Sequence, residues 1–118
     1  MIRPDVLVEI FQEFDDEEKK LPKDVRKQLT DILNKLVQDI RKKGWIHKFF
    51  KPQGAIYPEH IKKRKYSSLY LFKAMPTLYI VLTFDDDFIN NQKVLGLFKI
   101  ADSEHKLEAY NYIASHLY

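Results

Sequence analysis

Between Lys23 and Lys42 the apolar residues Val25, Leu29, Ile32, Leu33, Leu36, Val37 and Ile40 return at steps of three and four. No other pattern restricts the fold so tightly. Such spacing sets these side chains on one stripe of a helix of about five turns. The residues between them are charged, and Gly44 supplies a stop. A single stripe needs a single partner surface, so this helix is expected to lie along a core.

From Tyr66 onward the period changes to that of strands. Ser68 to Lys73 reads as one strand, closed by the turn signal Met75-Pro76. Leu78 to Phe84 is nearly continuous in apolar residues, as expected of a central strand. The polar stretch from Asp85 to Lys93 turns the chain, and Val94 to Ile100 forms the next strand. Asp102 or Ser103 then caps a last helix carrying Leu107, Tyr110, Ile113 and Leu117.

Upstream, residues 5–11 suit a short strand with Val6, Val8 and Ile10 on one face. The same residues also place Leu7, Ile10, Phe11 and Phe14 at helical spacing, so periodicity leaves both readings open. A short polar helix follows from Glu13 to Lys20, acids first and lysines last, in accord with the helix dipole. Leu21-Pro22 ends it. The order is strand, helix, helix, three strands, helix. That is an α+β domain spanning 1–118, with a mostly antiparallel sheet and helices packed on one face.

Composition adds exclusions. At 118 residues, with 45% hydrophobic and 14% aromatic content, the chain is expected to fold as one globular domain. It has no cysteine, which removes disulfides, thiol nucleophiles and thiolate-bound metals. The N-terminus lacks the apolar core of a signal peptide, and no apolar run reaches the length of a membrane span. A soluble cytoplasmic protein with no membrane partner is the expectation.

Charge points to a partner. Residues 41–65 hold nine Lys and Arg against one acid, Glu59. That local net of +8, in a chain of total +3, leaves the other residues at −5. A middle this positive attracts polyanions, unless it is simply a solvated face. Trp45, Phe49, Phe50 and Tyr57 lie among these cations, where aromatics either stack on bases or pin a long irregular segment to the core.

Other chemistry is missing from the pattern. The chain has no glycine-rich phosphate loop, no metalloprotease histidine pair and no nucleophile elbow. Its four histidines are scattered. Asp85-Asp86-Asp87 has the oxygens for a divalent ion, but between two strands it reads first as a solvated tip.

Several segments together resemble the RelE/ParE toxins, the toxic partners of bacterial toxin–antitoxin pairs. Val8-Glu9-Ile10-Phe11-Gln12-Glu13-Phe14 and Lys20 to Leu29 are similar to that family's first strand and helical hairpin. Leu69-Tyr70-Leu71-Phe72-Lys73 is similar to its second strand, and Glu108-Ala109-Tyr110-Asn111 to its last helix. The likeness runs through almost the whole chain, and it rests on the joint order of motifs that are individually common.

The resemblance implies a ribosome-dependent endoribonuclease (an mRNA interferase) that needs neither metal nor cofactor and is neutralised by an antitoxin protein. In such enzymes the ribose 2′-hydroxyl of the message attacks the adjacent phosphate. The reaction calls for a base, cations around the phosphorane and an acid for the leaving oxygen. The resemblance offers Lys73, His105 and Tyr110 as catalytic residues. Lys48, Lys51, Lys62, Lys63, Arg64 and Lys65 would bind RNA. Lys73 stands where active members usually have arginine, so the charge is kept and the forked donor geometry lost. The strand from Val94 to Ile100 also lacks an arginine often found there. A catalytically inactive RNA- or protein-binding module, or a ParE-type gyrase inhibitor, would share the same fold. Tyr110 also lies at helical spacing with Leu107 and Ile113, which equally describes a core residue.

Overall fold

The computed structural model describes residues 5–43 and 69–117. The first element, β1 (Asp5–Ile10), is a strand, which settles the ambiguity of that stretch. Two helices follow, α1 (Gln12–Lys19) and α2 (Lys23–Lys43), then strands β2 (Leu69–Met75), β3 (Leu78–Asp87) and β4 (Gln92–Asp102), and finally α3 (Lys106–Leu117). The strands form one sheet in the order β1-β4-β3-β2. β1 runs parallel to β4, with Val8 opposite Leu95, whereas the β4–β3 and β3–β2 pairs are antiparallel. The fold is α+β with a mixed, mostly antiparallel sheet.

One expectation fails. The helices do not share a face. Tyr70, Phe72, Ile80, Leu82, Leu95 and Leu97 pack with Phe14 of α1 and with Leu29, Leu36 and Ile40 of α2. Side chains of opposite parity, Leu69, Leu71, Tyr79 and Val81, pack instead with Ala109, Tyr110, Ile113 and Ala114 of α3. The sheet therefore lies between two helical layers. The cause is legible in β3, where every residue from Leu78 to Phe84 is buried. A strand with no polar alternation needs cover on both faces.

The long stripe of α2 behaves as its spacing requires, with Leu29 and Ile40 fully buried. In α3 the stripe is shifted. Leu107 and Leu117 remain exposed, while the small residues Ala109 and Ala114 go inside beside Tyr110 and Ile113 and bring the helix close to the sheet. β3 and β4 also run further than their apolar cores, because Asp85, Asp86 and Asp87 keep pairing with Val94, Lys93 and Gln92. Among the described residues, no helix is long and apolar enough to cross a membrane.

Candidate functional site

Lys73 faces Tyr79 across the β2–β3 pair, and residues directly opposite in an antiparallel ladder project from the same face. That face is the one α3 covers. Tyr79 is buried in the core beneath α3, whereas Lys73 is exposed at its margin. Just beyond Lys73 the register shifts before Met75, so the strand bends next to the exposed amine.

Tyr79 is also met from α3. Lys106, the first residue of α3, donates from Nζ to the Tyr79 hydroxyl at 3.3 Å. Its Nζ stands 4.6 Å from the Tyr79 ring centroid, within cation–π range. Lys73 thus stands opposite Tyr79 in the strand register, and Lys106 contacts the Tyr79 side chain directly. Cations on neighbouring positions of one surface are suited to an anion such as a phosphodiester.

Sequence reasoning missed Lys106 and Tyr79, although a signal existed. The first turn of a helix favours acids, so a lysine opening α3 runs against the dipole and calls for a reason.

His105 belongs to a different environment. The Asp102 carboxylate accepts the His105 backbone N–H and also contacts ring Nδ1, both at 2.8 Å. The His105 carbonyl in turn accepts the Ala109 N–H, the first turn of α3. Asp102 therefore braces the turn that starts the helix. Its hydrogen bond and its charge raise the His105 pKa above the ordinary value. The Asp102 carboxyl is lowered, first by the backbone hydrogen bond from His105 and then by the ring.

The cleft beside this pair runs between α1 and α3 over the end of β4. Its lining includes Glu13, Glu17, Lys99, Asp102, His105, Glu108 and Tyr112. Lys99 Nζ lies 3.4 Å from Glu13 and 3.5 Å from Glu17. Glu17 also accepts the Ile100 N–H at 3.3 Å, and Glu13 accepts the Tyr112 hydroxyl at 3.2 Å. Four carboxylates face Lys99 and His105, an arrangement that repels a phosphate rather than drawing it in.

Tyr110 is enclosed. It has 0% exposure, and its hydroxyl donates to the Leu69 carbonyl at 2.7 Å. In this position the phenol ties α3 to β2 and presents nothing to a substrate. Of the three residues offered as catalytic, Lys73 stands opposite Tyr79 in the sheet, His105 is held by Asp102 at the acidic cleft, and Tyr110 lies in the core.

Lys48, Lys51, Lys62, Lys63, Arg64 and Lys65, and the aromatics Trp45, Phe49, Phe50 and Tyr57, lie outside the described residues. At the near edge of the basic stretch, Arg41 and Lys42 are exposed in the last turn of α2, where the dipole favours cations. Among the described residues, no group of three or more acids and histidines is arranged to hold a metal. Asp86 instead pairs with Lys93, and Asp87 with Asn90 and Gln92. Comparison with protein-family models, with curated proteins and with solved structures gives no match.

Proposed function

We propose that this protein is a RelE/ParE-like, toxin-type endoribonuclease that cuts ribosome-bound messenger RNA and is held in check by an antitoxin. The observation that carries this reading is the register of Lys73 opposite Tyr79, the residue whose hydroxyl accepts from Lys106. The order of elements, with two helices between the first strand and the remaining three, supports the family likeness. The +8 charge of residues 41–65 supports a nucleic-acid target.

In the proposed reaction the scissile phosphate sits against the two amines. The 2′-hydroxyl gives up its proton to solvent as its oxygen bonds to phosphorus, the bond to the 5′-oxygen breaks, and a 2′,3′-cyclic phosphate is left. Lys73 and Lys106 offset the charge that grows on the phosphorane. Tyr79, buried beneath α3, accepts from Lys106 and so positions that amine. The leaving 5′-oxygen takes its proton from solvent, because the carboxylates around His105 turn a phosphate away from that side chain.

A second reading has its own observation. The enclosure of Tyr110 and the acids around His105 favour a homologue that binds RNA or protein without cutting.

Inducible expression in a bacterium separates the two. Growth and mapped messenger 5′ ends are compared for the wild type, Lys73→Ala and Lys106→Ala at equal protein level. Growth arrest with new breaks in translated messages, lost in both variants, is the expected result. Normal growth with folded wild-type protein, or breaks unchanged in both variants, would overturn the ribonuclease reading.

A further inference from the structure

Four of the large apolar side chains left at the surface fall within one short run of the chain. Leu7, Val8, Ile10 and Phe11 are 42%, 37%, 59% and 39% exposed, and within β1 only Val6 is buried. β1 is also an edge strand: it pairs with β4, and no described strand lies on its other side. The Phe11 N–H donates to the Leu97 carbonyl of β4. Main-chain groups of successive strand residues point to opposite sides, so those of Leu7 and Glu9 face β4 as those of Phe11 do. The N–H and C=O groups of Val6, Val8 and Ile10 therefore point away from the sheet.

Natural sheet edges are guarded by lysine, proline or a bulge. The opposite edge has two of these devices, since β2 carries exposed Lys73 and a register shift before Met75. β1 has none of them. It holds no lysine or proline, and its register with β4 runs unbroken from Asp5 to Ile10. Its two charges, Asp5 and Glu9, share one face with Leu7. Val6, Val8 and Ile10 make up the other face, on which Val6 joins the core beneath α1 and α2.

We infer that two copies of this chain join through β1, antiparallel, about a two-fold axis that passes between Val8 of one copy and Val8 of the other. The pairing extends two four-stranded sheets into one continuous sheet. The residues of the strand select that centre. With Val8 opposite its counterpart, each Val6 stands opposite Ile10, which makes three pairs that exchange two main-chain hydrogen bonds each. All three pairs are β-branched on both sides, the shape that suits cross-strand contact. Glu9 stands opposite Leu7, and no acid faces an acid. Centring on Leu7 instead sets Asp5 opposite Glu9 twice and leaves two hydrogen-bonded pairs. Centring on Glu9 opposes the two glutamates. The interface uses none of Lys73, Lys106 and His105, so it stands apart from the ribonuclease reading.

The test is sedimentation equilibrium and disulfide cross-linking on the full chain. Wild type is expected to dimerise, more tightly as salt screens the Asp5 and Glu9 carboxylates gathered along the seam. Val8→Lys and Val8→Glu, at an exposed position, are each expected to weaken association about tenfold or more, with the fold verified by circular dichroism. An equimolar mixture of those two variants should dimerise again, because lysine then faces glutamate at the centre. The chain has no cysteine, so Val8→Cys reports the centre by itself. Opposed Cα atoms of a hydrogen-bonded pair lie about 5.5 Å apart, within disulfide reach. The two copies of position 7 lie diagonally, about 7–8 Å apart and out of reach. Mild oxidation should therefore link Val8→Cys chains and leave Leu7→Cys chains unlinked. A wild type that stays monomeric at its solubility limit overturns the inference. So does a dimer that both charged variants leave intact, a mixture that fails to recover, or a link through Leu7→Cys in place of Val8→Cys. A monomer whose β1 amide signals in NMR shift on adding a peptide of alternating lysine and valine would give the edge to a basic strand, and would overturn it as well.

Discussion

Replacing Tyr110 by phenylalanine separates two roles for the same side chain. The hydroxyl donates to the Leu69 carbonyl at 2.7 Å in a fully buried setting, and it is the atom a catalytic role would need. A buried hydrogen bond of this kind contributes a net of about 1 kcal/mol, and phenylalanine keeps the ring that fills the core. For a domain of this length that corresponds to a fall in Tm of about 4 °C. Tyr110→Ala removes the ring as well and should cost about 3–5 kcal/mol, much of the stability of a typical domain. Urea unfolding of wild type and both variants gives the stabilities. Cleavage of ribosome-bound message by the same preparations gives activity per folded molecule. The expected outcome for Tyr110→Phe is a lowered urea midpoint with cleavage per folded molecule within a few-fold of wild type. An unchanged midpoint with cleavage reduced by about a hundredfold, the scale of a lost proton-transfer group, would refute the packing role.

Two further perturbations test the frame around the site. A Cβ on Gly96 would stand 2.5 Å from the Thr83 Oγ1 and 3.1 Å from the Phe98 ring, so Gly96→Ala should cost about 1–3 kcal/mol in urea unfolding. Gly96→Ala/Thr83→Ala should recover part of that loss, whereas simple additivity would show that the clash is not the cause. Asp102→Asn should lower the His105 titration midpoint seen by NMR, because the carboxylate is what raises it above the ordinary 6.5. In the wild type, the contribution of the pair to stability is lost as pH rises through the raised His105 pKa. It is lost again as pH falls through the Asp102 pKa, which lies below the ordinary 3.8. A His105 midpoint unmoved by Asp102→Asn would exclude the contact in solution.

Local signals in the sequence carried most of the fold. The stripe from Val25 to Ile40 marks α2 almost to the residue, and Leu21-Pro22 marks the break before it. β1 was ambiguous because its decisive feature is a parallel pairing with β4, more than eighty residues away in sequence. The two-sided sheet was latent in Leu78 to Phe84, since an unbroken apolar strand demands two covers. Placing all the helices on one face overlooked that demand. The site was less legible for the same reason of distance. Tyr110 meets Leu69 across 41 residues, and Lys106 meets Tyr79 across 27. Spacing within α3 shows that Tyr110 and Ile113 share a face, but not that the hydroxyl ends on a carbonyl. The shifted stripe of α3, with Ala109 and Ala114 inside and Leu107 outside, follows from close packing on the sheet and overrides simple hydrophobic ranking.

The central claim is that Lys73 and Lys106 hold a phosphate for cleavage. Its most direct test is a defined ribosome complex carrying a labelled message, incubated with purified wild type, Lys73→Ala and Lys106→Ala. The account predicts a single break in the decoding site by the wild type, a 2′,3′-cyclic phosphate on the upstream fragment, and about a hundredfold slower cleavage in each variant. An intact message with the wild type bound to the ribosome would contradict it, and so would breaks that both variants make at the wild-type rate.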